Sequence, residues 1–265
     1  MSRVHFVGAG RMGLPMVERL VADGHDVRVL ARHDEARAAV EKAGALAVSD
    51  VSGIGADTDL VVVCVFTDEQ VHQVCLSDGV LERMRRGSVL VVHTTVGPRT
   101  VEKLAAAAEP HGVAVIDAAV SGGPHDIAAG ALTLFLGGTD DAVAAVTPVL
   151  KSYGDPVLHV GAAGSGQKVK LVNNALFAAE IGLLAEAAEL GRQLGIDEAA
   201  LFSALPHGSS SCKVMANIAM RGSVSEFRSA VGEFLTKDVA VVRSAVSELG
   251  GDLGVLDTAI DAHTR

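Results

Sequence analysis

The chain has 265 residues, of which 49% are hydrophobic, so it can bury the core of one large domain or two smaller ones. Its formal net charge of -10 argues against a basic face for nucleic acid, and the lack of Trp leaves few platforms for stacked bases. Apolar runs of about six residues are too short to span a membrane. We therefore expect neither a nucleic-acid nor a membrane partner.

The cysteines give a further expectation about the compartment. Cys64, Cys75 and Cys212 are odd in number and lack the C-x-x-C spacing of zinc sites. We expect no disulfide framework and no metal site, and a reducing cytoplasm is the simplest location. Because the glycine motif begins at Gly8, we expect no signal peptide before it.

Short β-branched runs alternate with Ala- and Glu-rich stretches in the first part of the chain. The predicted strands are Arg3–Val7, Asp26–Leu30, Leu60–Val65, Ser88–Val92, Val113–Asp117, Ala131–Leu136 and Pro156–His159. The predicted helices are Arg11–Asp23, Glu35–Lys42, Pro98–Ala108 and Asp140–Leu150. This alternation predicts an α/β fold, a Rossmann-type doubly wound sheet with right-handed crossovers.

The pattern changes after "HVGAAGSGQ" (159–167). From Gln167 to Leu194 the chain has no Pro, which predicts one long helix, and the remainder reads as further helices without a convincing strand. We predict a dinucleotide-binding domain over residues 1–162. An all-α domain for substrate binding and dimerisation follows over residues 163–265, and the long helix joins the two.

The stretch "FVGAGRMGLPM" (6–16) places glycines at Gly8, Gly10 and Gly13, after a strand and before a helix. In such a G-x-G-x-x-G motif, the first Gly permits a tight turn and the second lets a pyrophosphate approach the backbone. The third lets helix and strand pack closely, and the helix N-terminus faces the phosphates. The motif alone is weak evidence, but its strand–turn–helix setting predicts dinucleotide binding.

The end of the second strand indicates which dinucleotide binds. NAD enzymes usually place an acid there, whereas Arg32 stands in "VLARHDEAR", with Arg37 one turn further on. Arg matches a 2′-phosphate bidentately, so NADP is favoured, with NAD possible. Asp34 is interpreted as the N-cap of the next helix.

Two later motifs carry polar groups suited to a substrate. In "DAAVSGGP" (117–124), Ser121 offers a hydroxyl, and Gly122 and Gly123 offer backbone N–H groups that could hold a carboxylate. Composition alone leaves a plain turn equally open.

In "GSGQKVKLVNN" (164–174), Lys170 and Asn174 are one helical turn apart and share a face, while Lys168 points elsewhere. Lys170 could act as a general acid/base if burial and the cationic nicotinamide lower its pKa. From spacing alone, a solvated Lys is the more common interpretation.

Together these motifs resemble the β-hydroxyacid dehydrogenase family, which includes 3-hydroxyisobutyrate dehydrogenase, tartronate semialdehyde reductase and glyoxylate/succinic semialdehyde reductase. The likeness runs from about residue 4 to about residue 245. "GAGRMGLPM" is similar to the cofactor signature, which implies contacts from Arg11 and Met12 besides the glycines. "HTTVGP" (93–98) is similar to the loop near the nicotinamide and marks Thr95.

The resemblance also implies the roles of the remaining motifs. It makes Lys170 the catalytic residue and Asn174 its partner, and it places a substrate carboxylate on Ser121, Gly122 and Gly123. "FLTKD" (234–238) resembles a late Lys-Asp motif, which implies that Lys237 lies at the active site, in contact with the cofactor, with Asp238 as its companion. The implied protein is a homodimer or homotetramer that transfers hydride between NAD(P) and a small β-hydroxyacid or semialdehyde.

The chain departs from the family pattern in places that affect the substrate. Ala119 replaces the usual Pro, and "PHDIAAGALT" replaces the familiar Gly-Ala run. Phe227 and Phe234 do not match the family's single Phe cleanly, and the chain ends about one or two helices early. An imine reductase and a non-catalytic dinucleotide-binding module stay open as alternatives, although Lys170 argues against the first. A 6-phosphogluconate-type decarboxylase would be longer.

Overall fold

One eight-stranded sheet organises the first part of the chain in a computed structural model, which describes residues 1–54 and 57–262. Its strands are β1 Arg3–Val7, β2 Asp26–Leu30, β3 Leu46–Val48, β4 Leu60–Val63, β5 Val89–Val92, β6 Ala114–Ser121, β7 Leu132–Gly137 and β8 Gly154–Gly161. Their order is β3-β2-β1-β4-β5-β6-β7-β8, and β6–β7 is the one antiparallel pair among these described strands. Between β1 and β4, which are parallel, the order in which successive strands are added to the sheet reverses. Open α/β sheets bind their ligands at such a point.

Helices cover both faces of this sheet. They are α1 Gly13–Ala22, α2 Asp34–Lys42, α3 Asp68–His72, α4 Val80–Arg83, α5 Pro98–Ala108, α6 Pro124–Ala128 and α7 Asp140–Leu150. Leu60 and Val62 of β4 join the core under α1, α2 and α7, while Val61 and Val63 join the core on the opposite face. A strand buried on both faces has no polar alternation, which explains its uniformly apolar sequence.

The later part of the chain is built from helices and loops, with no strand among its described residues. It contains α8 Ser165–Gln193, α9 Glu198–Ala204, α10 Lys213–Arg221, α11 Val224–Glu248 and α12 Val255–Ala262. Ala178, Phe202, Ile218 and Phe227 lie in its hydrophobic core. Packing divides the chain into two units, Met1–Lys170 and a second unit that starts at Leu171, so the division falls inside α8.

Helix α8 is also the one described helix that is long and apolar enough, by length and composition alone, to cross a membrane. The prediction from short apolar runs missed this, because scattered polar residues interrupt the runs while the mean hydropathy of an 18-residue window stays at 1.3. Of its most apolar window, 44% is buried inside the protein, and core helices commonly pass the same test.

The predicted α/β class with a helical C-terminal part is confirmed. The bounds of β1, β2, α5 and α7 are those predicted. The sequence prediction missed β3, α3, α4 and α6, because elements of three to five residues carry too little periodicity to be recognised. Asp34 is the first residue of α2 and not its N-cap, a position that His33 occupies without a side-chain capping bond.

His93, the residue directly after β5, makes two buried hydrogen bonds inside the sheet unit. The Nδ1 of His93 lies 2.6 Å from the carbonyl oxygen of Ala118, and its Nε2 lies 2.8 Å from the hydroxyl of Tyr153. Since a carbonyl only accepts, Nδ1 carries the proton and Nε2 accepts from Tyr153. Burial lowers the pKa of His93 to about 4 against the opposing effect of the Ala118 bond, so the imidazole is neutral.

Acid should destabilise the protein through His93. Its folded pKa of about 4 lies below the ordinary 6.5, so the unfolded chain binds a proton there at pH values where the folded protein does not. The stabilising contribution is present above pH 6.5 and is lost as the pH falls towards 4, to a total of about 3 kcal/mol. Urea denaturation between pH 7.5 and 4.5 measures this fall.

Two variants isolate this effect. His93→Asn removes the titrating group, so it should lower stability at pH 7.5 but flatten the dependence on pH. His72→Asn is the control, because His72 is exposed, and it should leave the slope unchanged. The assignment is wrong if His93→Asn retains the full slope.

Candidate active site

The glycine-rich loop between β1 and α1 has the shape that a dinucleotide needs. Gly8 has φ +102°, and a Cβ there would overlap the carbonyl oxygen of Cys64 at the end of β4. A Cβ on Gly13 would overlap the carbonyl oxygen of Gly8, so helix and loop pack in direct contact. By contrast, nothing described lies within 4 Å of a Cβ built on Gly10.

These contacts match the three roles that the motif predicts. Gly8 makes the turn, Gly13 allows close packing, and Gly10 leaves open space where a pyrophosphate can approach. Helix α1 has no side-chain cap at Met12, so no side chain competes there for its first backbone N–H groups. Arg11 is exposed, and Met12 is half-buried against the core. The residues present therefore fit a nicotinamide dinucleotide.

Arg32 lies just beyond β2 and is exposed, with its guanidinium paired to a carboxylate. Its Nη2 lies 2.8 Å from Oδ2 of Asp78, and Nε2 of Gln73 donates to Oδ1 of the same residue at 2.7 Å. The pKa of Asp78 is lowered, chiefly by the Gln73 bond and also by Arg32. Because exposed ion pairs contribute about 0–1 kcal/mol, Arg32 can exchange Asp78 for a phosphate.

The loop after β5, which includes Thr95, is held by a side chain from α8. Gln167 is fully buried; its Nε2 donates to the carbonyl of Thr94 at 2.8 Å, and its Oε1 accepts from the amide of Val96 at 3.2 Å. Thr95, 9% exposed, lies between these two bonds. Gln167 thereby fixes the backbone on both sides of Thr95.

Asp117 in β6 holds the start of α8. Its Oδ1 accepts from the amide of Gly164 and its Oδ2 from the amide of Gln167, both at 2.7 Å. Burial raises the pKa of this carboxyl, while the amide bonds act in the opposite direction. A Cβ on Gly137 or Gly166 would press against the carboxylate, so both glycines are required by space. Asp117 and Gln167 together anchor the first turn of α8 to the sheet.

Two residues of the predicted substrate loop already have partners within the protein. Ser121 is the last residue of β6, because antiparallel pairing with β7 continues to Ser121 opposite Thr133. The amide of Gly123 donates to Oδ2 of Asp126 at 2.6 Å, as part of the cap of α6. The Gly123 amide therefore already has an acceptor within the protein, and its role in holding a substrate carboxylate stays a prediction.

The two lysines at the start of α8 differ in environment. Lys168 is exposed, with its Nζ 4.0 Å from Oε1 of Glu102. Lys170 is half-buried and follows Gln167 by three residues, so the two are neighbours on the helix surface. Lys170 thus lies on the part of α8 that Gln167 joins to the Thr95 loop.

Three predicted residues come together in the second unit. Asn174 is buried; its Nδ2 donates to Oδ2 of Asp238 at 3.0 Å, and its Oδ1 accepts from Asn173 at 3.3 Å. Lys237 Nζ lies 3.2 Å from Oδ1 of Asp238. Asp238 therefore connects an amide on α8 to an ammonium on α11.

Sequence reasoning missed the roles of Gln167, Asp117 and Asp126. For Gln167 and Asp117, the sequence offered only a polar residue beside a predicted loop. Their contacts join residues 47–73 positions apart in the chain. Asp126 had a usable signal, because an acid at the third position of a helix often bonds the N-cap amide. Among the described residues, no group of three His, Cys, Asp or Glu could hold a metal ion.

Two family models match nearly the whole chain. Residues 3–161 match the NAD binding domain of 6-phosphogluconate dehydrogenase, and residues 164–262 match the NAD-binding domain of NADP-dependent 3-hydroxyisobutyrate dehydrogenase.

The chain belongs to the β-hydroxyacid dehydrogenase family. An uncharacterised oxidoreductase of Synechocystis is 32% identical over 250 residues, covering 92% of this chain and 86% of the relative. A probable 3-hydroxyisobutyrate dehydrogenase of Mycobacterium tuberculosis is 29% identical over 273 residues, covering 100% and 92%. The chain is thus an NAD(P)-dependent oxidoreductase that acts on CH–OH groups.

Solved structures agree with this assignment. The Mycobacterium tuberculosis 3-hydroxyisobutyrate dehydrogenase with L-serine has a TM-score of 0.87 and 28% identity, covering 100% of this chain and 93% of that one. An imine reductase from Pseudomonas sp. has a TM-score of 0.67 and 20% identity, covering 97% and 90%; it shares the fold.

Filling the space at Gly10 should weaken cofactor binding by this family member without unfolding it. Gly10→Val adds a side chain where the cofactor approaches, and Gly10 lies outside the positive-φ region. We expect NADPH affinity to fall roughly 100-fold, which corresponds to about 2.7 kcal/mol, at an unchanged melting temperature. Fluorescence titration and thermal unfolding measure the two quantities.

Gly13→Val serves as the contrasting variant. Its side chain would collide with the backbone of Gly8, so it should lower the melting temperature as well. Normal NADPH binding by Gly10→Val would rule out the loop as the pyrophosphate site.

Proposed function

We propose that the protein transfers hydride between NADP(H) and a small β-hydroxyacid or the related semialdehyde, with Lys170 as the general acid/base. The observation that carries this proposal is the position of Lys170, half-buried and one turn beyond Gln167, which fixes the Thr95 loop. Belonging to the β-hydroxyacid dehydrogenase family supports both the cofactor and the substrate type.

The bound nicotinamide would supply or accept the hydride. The chain contributes position and a proton: the Nζ of Lys170 would give a proton to the carbonyl oxygen in reduction and take it from the hydroxyl in oxidation. Ser121 and the amide of Gly122 would orient the polar end of the substrate. Thr95 would line the nicotinamide site on its fixed loop.

Asn174 would support Lys170 or the substrate oxygen. Its amide is held by Asn173 and Asp238, so its orientation is fixed before a ligand arrives. Lys237, paired with Asp238, would contact the cofactor. A preset amide avoids an ordering cost during the reaction.

We also propose that the protein forms a homodimer or homotetramer. Helix α8 exposes large aliphatic side chains that lie 4, 11 and 18 residues after the first, close to whole helical turns, and they form one stripe: Val172, Leu176, Leu183 and Leu190. Exposed fractions of 46–60% at these residues are high for such side chains, and a second copy would bury them.

An imine reductase-like activity and a non-catalytic dinucleotide-binding role are the alternatives. The imine reductase likeness rests on the fold. A purely binding module needs the glycine loop but not a half-buried Lys170 beside the Thr95 loop. Kinetics of Lys170 variants separate these functions.

Lys170→Ala should lower kcat by about 10²–10⁴-fold, because it removes the proton-transfer group. The melting temperature and NADPH affinity should persist. Lys170→Arg should also fail, since Arg essentially never gives up its proton. Steady-state kinetics on the best carbonyl substrate, from a screen of semialdehydes and β-hydroxyacids, give the result.

Lys168→Ala is the matched control and should be nearly silent, because Lys168 is exposed on the same turn of α8. A near-normal kcat for Lys170→Ala would remove the proposed role and favour the imine reductase alternative.

Arg32 should select NADP(H). Arg32→Asp or Arg32→Ala loses a charge-assisted bond to the 2′-phosphate, so the KM for NADPH should rise roughly 10- to 100-fold while that for NADH changes little. Asp78→Asn frees the guanidinium from an exposed ion pair and should tighten NADPH binding at most about fivefold. Equal use of both cofactors by the unmodified protein would contradict this role.

A further inference from the structure

Asp126 brings a negative charge to the loop that would receive the polar end of the substrate. Its Oδ2 accepts from the amide of Gly123 at 2.6 Å, and a Cβ built on Gly122 would lie 2.6 Å from the same oxygen. The carboxylate therefore binds the backbone of Gly123 and leaves no space for a side chain at Gly122. Its side chain is 24% exposed, so solvent screens it only in part.

The charge has weak compensation. Within the described residues, the ion-pair partner of Asp126 is His125, whose Nε2 lies 3.3 Å from Oδ2 and whose side chain is 85% exposed. Because solvent screens an imidazole so open to water, this pair leaves most of the negative potential of Asp126 in place.

A substrate carboxylate on this loop would meet two obstacles. The amide of Gly123 already has an acceptor, and the adjacent residue Gly122 lies against the negatively charged carboxylate of Asp126. A hydroxyl or carbonyl oxygen meets no such repulsion, and an ammonium is attracted.

We propose that Asp126 is a specificity-determining residue that biases this site away from carboxylates and towards substrates whose polar end at Ser121 is uncharged or cationic. This inference rests on the proposed function, because it requires the substrate to lie at Ser121. It refines the substrate class: acids remain substrates, but Asp126 lowers the preference for the acid relative to its uncharged and amino analogues.

The test uses three primary alcohols of equal length with NADP⁺: 3-hydroxypropanoate, 1,3-propanediol and 3-amino-1-propanol. Asp126→Asn removes the charge and keeps an acceptor for the Gly123 amide, so the loop should stay folded. We expect this variant to raise the ratio of kcat/KM for the acid to that for the diol at least tenfold, and to lower the relative use of the amino alcohol. Isothermal titration of the same compounds into the NADPH-loaded protein gives the ratio of affinities without turnover.

Asp141→Asn is the control for net charge. Asp141 is exposed in the first turn of α7, which follows the end of β7 remote from Ser121, so the ratio should not change. An acid preference above tenfold in the unmodified protein that Asp126→Asn leaves unaltered overturns the inference.

Ser121→Ala distinguishes a failure of the Asp126 inference from a failure of the proposed substrate position. If it weakens use of the acid and the diol while Asp126→Asn changes no ratio, the inference fails and the proposed substrate position stands. If Ser121→Ala affects neither compound, the substrate lies elsewhere and both are overturned.

Discussion

The buried carboxylate of Asp117 is the interaction on which the catalytic end of the sheet unit depends. It accepts hydrogen bonds from the amides of Gly164, just before α8, and Gln167, in its first turn. Because Asp117 is fully buried, solvent does not compete for these bonds. Carboxylates are favoured at helix N-termini, and charge-assisted bonds to backbone N–H groups are among the strong ones. With α8 fixed in this way, Gln167 reaches the Thr95 loop and Lys170 follows one turn later.

Close backbone packing forms the other half of the site. Gly8 touches the end of β4 and Gly13 touches Gly8, so the loop between β1 and α1 has almost no freedom to move without breaking contacts. The open space at Gly10 lies after β1, at the β1–β4 boundary where the strand order of the parallel sheet reverses. A rigid loop with one open position binds a cofactor without an ordering cost, which is what preorganisation requires.

In the sheet unit, two groups that we expect to bind ligands are already paired with carboxylates of the protein. Asp78 takes the guanidinium of Arg32, and Asp126 takes the amide of Gly123. The two cases differ in strength: the Arg32 pair is exposed and easily exchanged, whereas the Asp126 bond is partly screened from water and belongs to a helix cap. In our proposals, the first contact would yield to a phosphate, and the second would influence which substrates bind.

The sequence by itself determined the local elements and the chemistry they carry. β1, β2, α5 and α7 follow from periodicity within short windows, and the glycine loop follows from a motif of about ten residues. The catalytic role of Lys170 was implied by the family resemblance and stays a prediction. Only the tertiary structure decided that Asp117 caps α8, that Asp78 holds Arg32, and that β6 extends to Ser121 by pairing with β7. The reason is physical: propensity and periodicity act between near neighbours, whereas these bonds join groups far apart in the chain, which meet only when the sheet has formed.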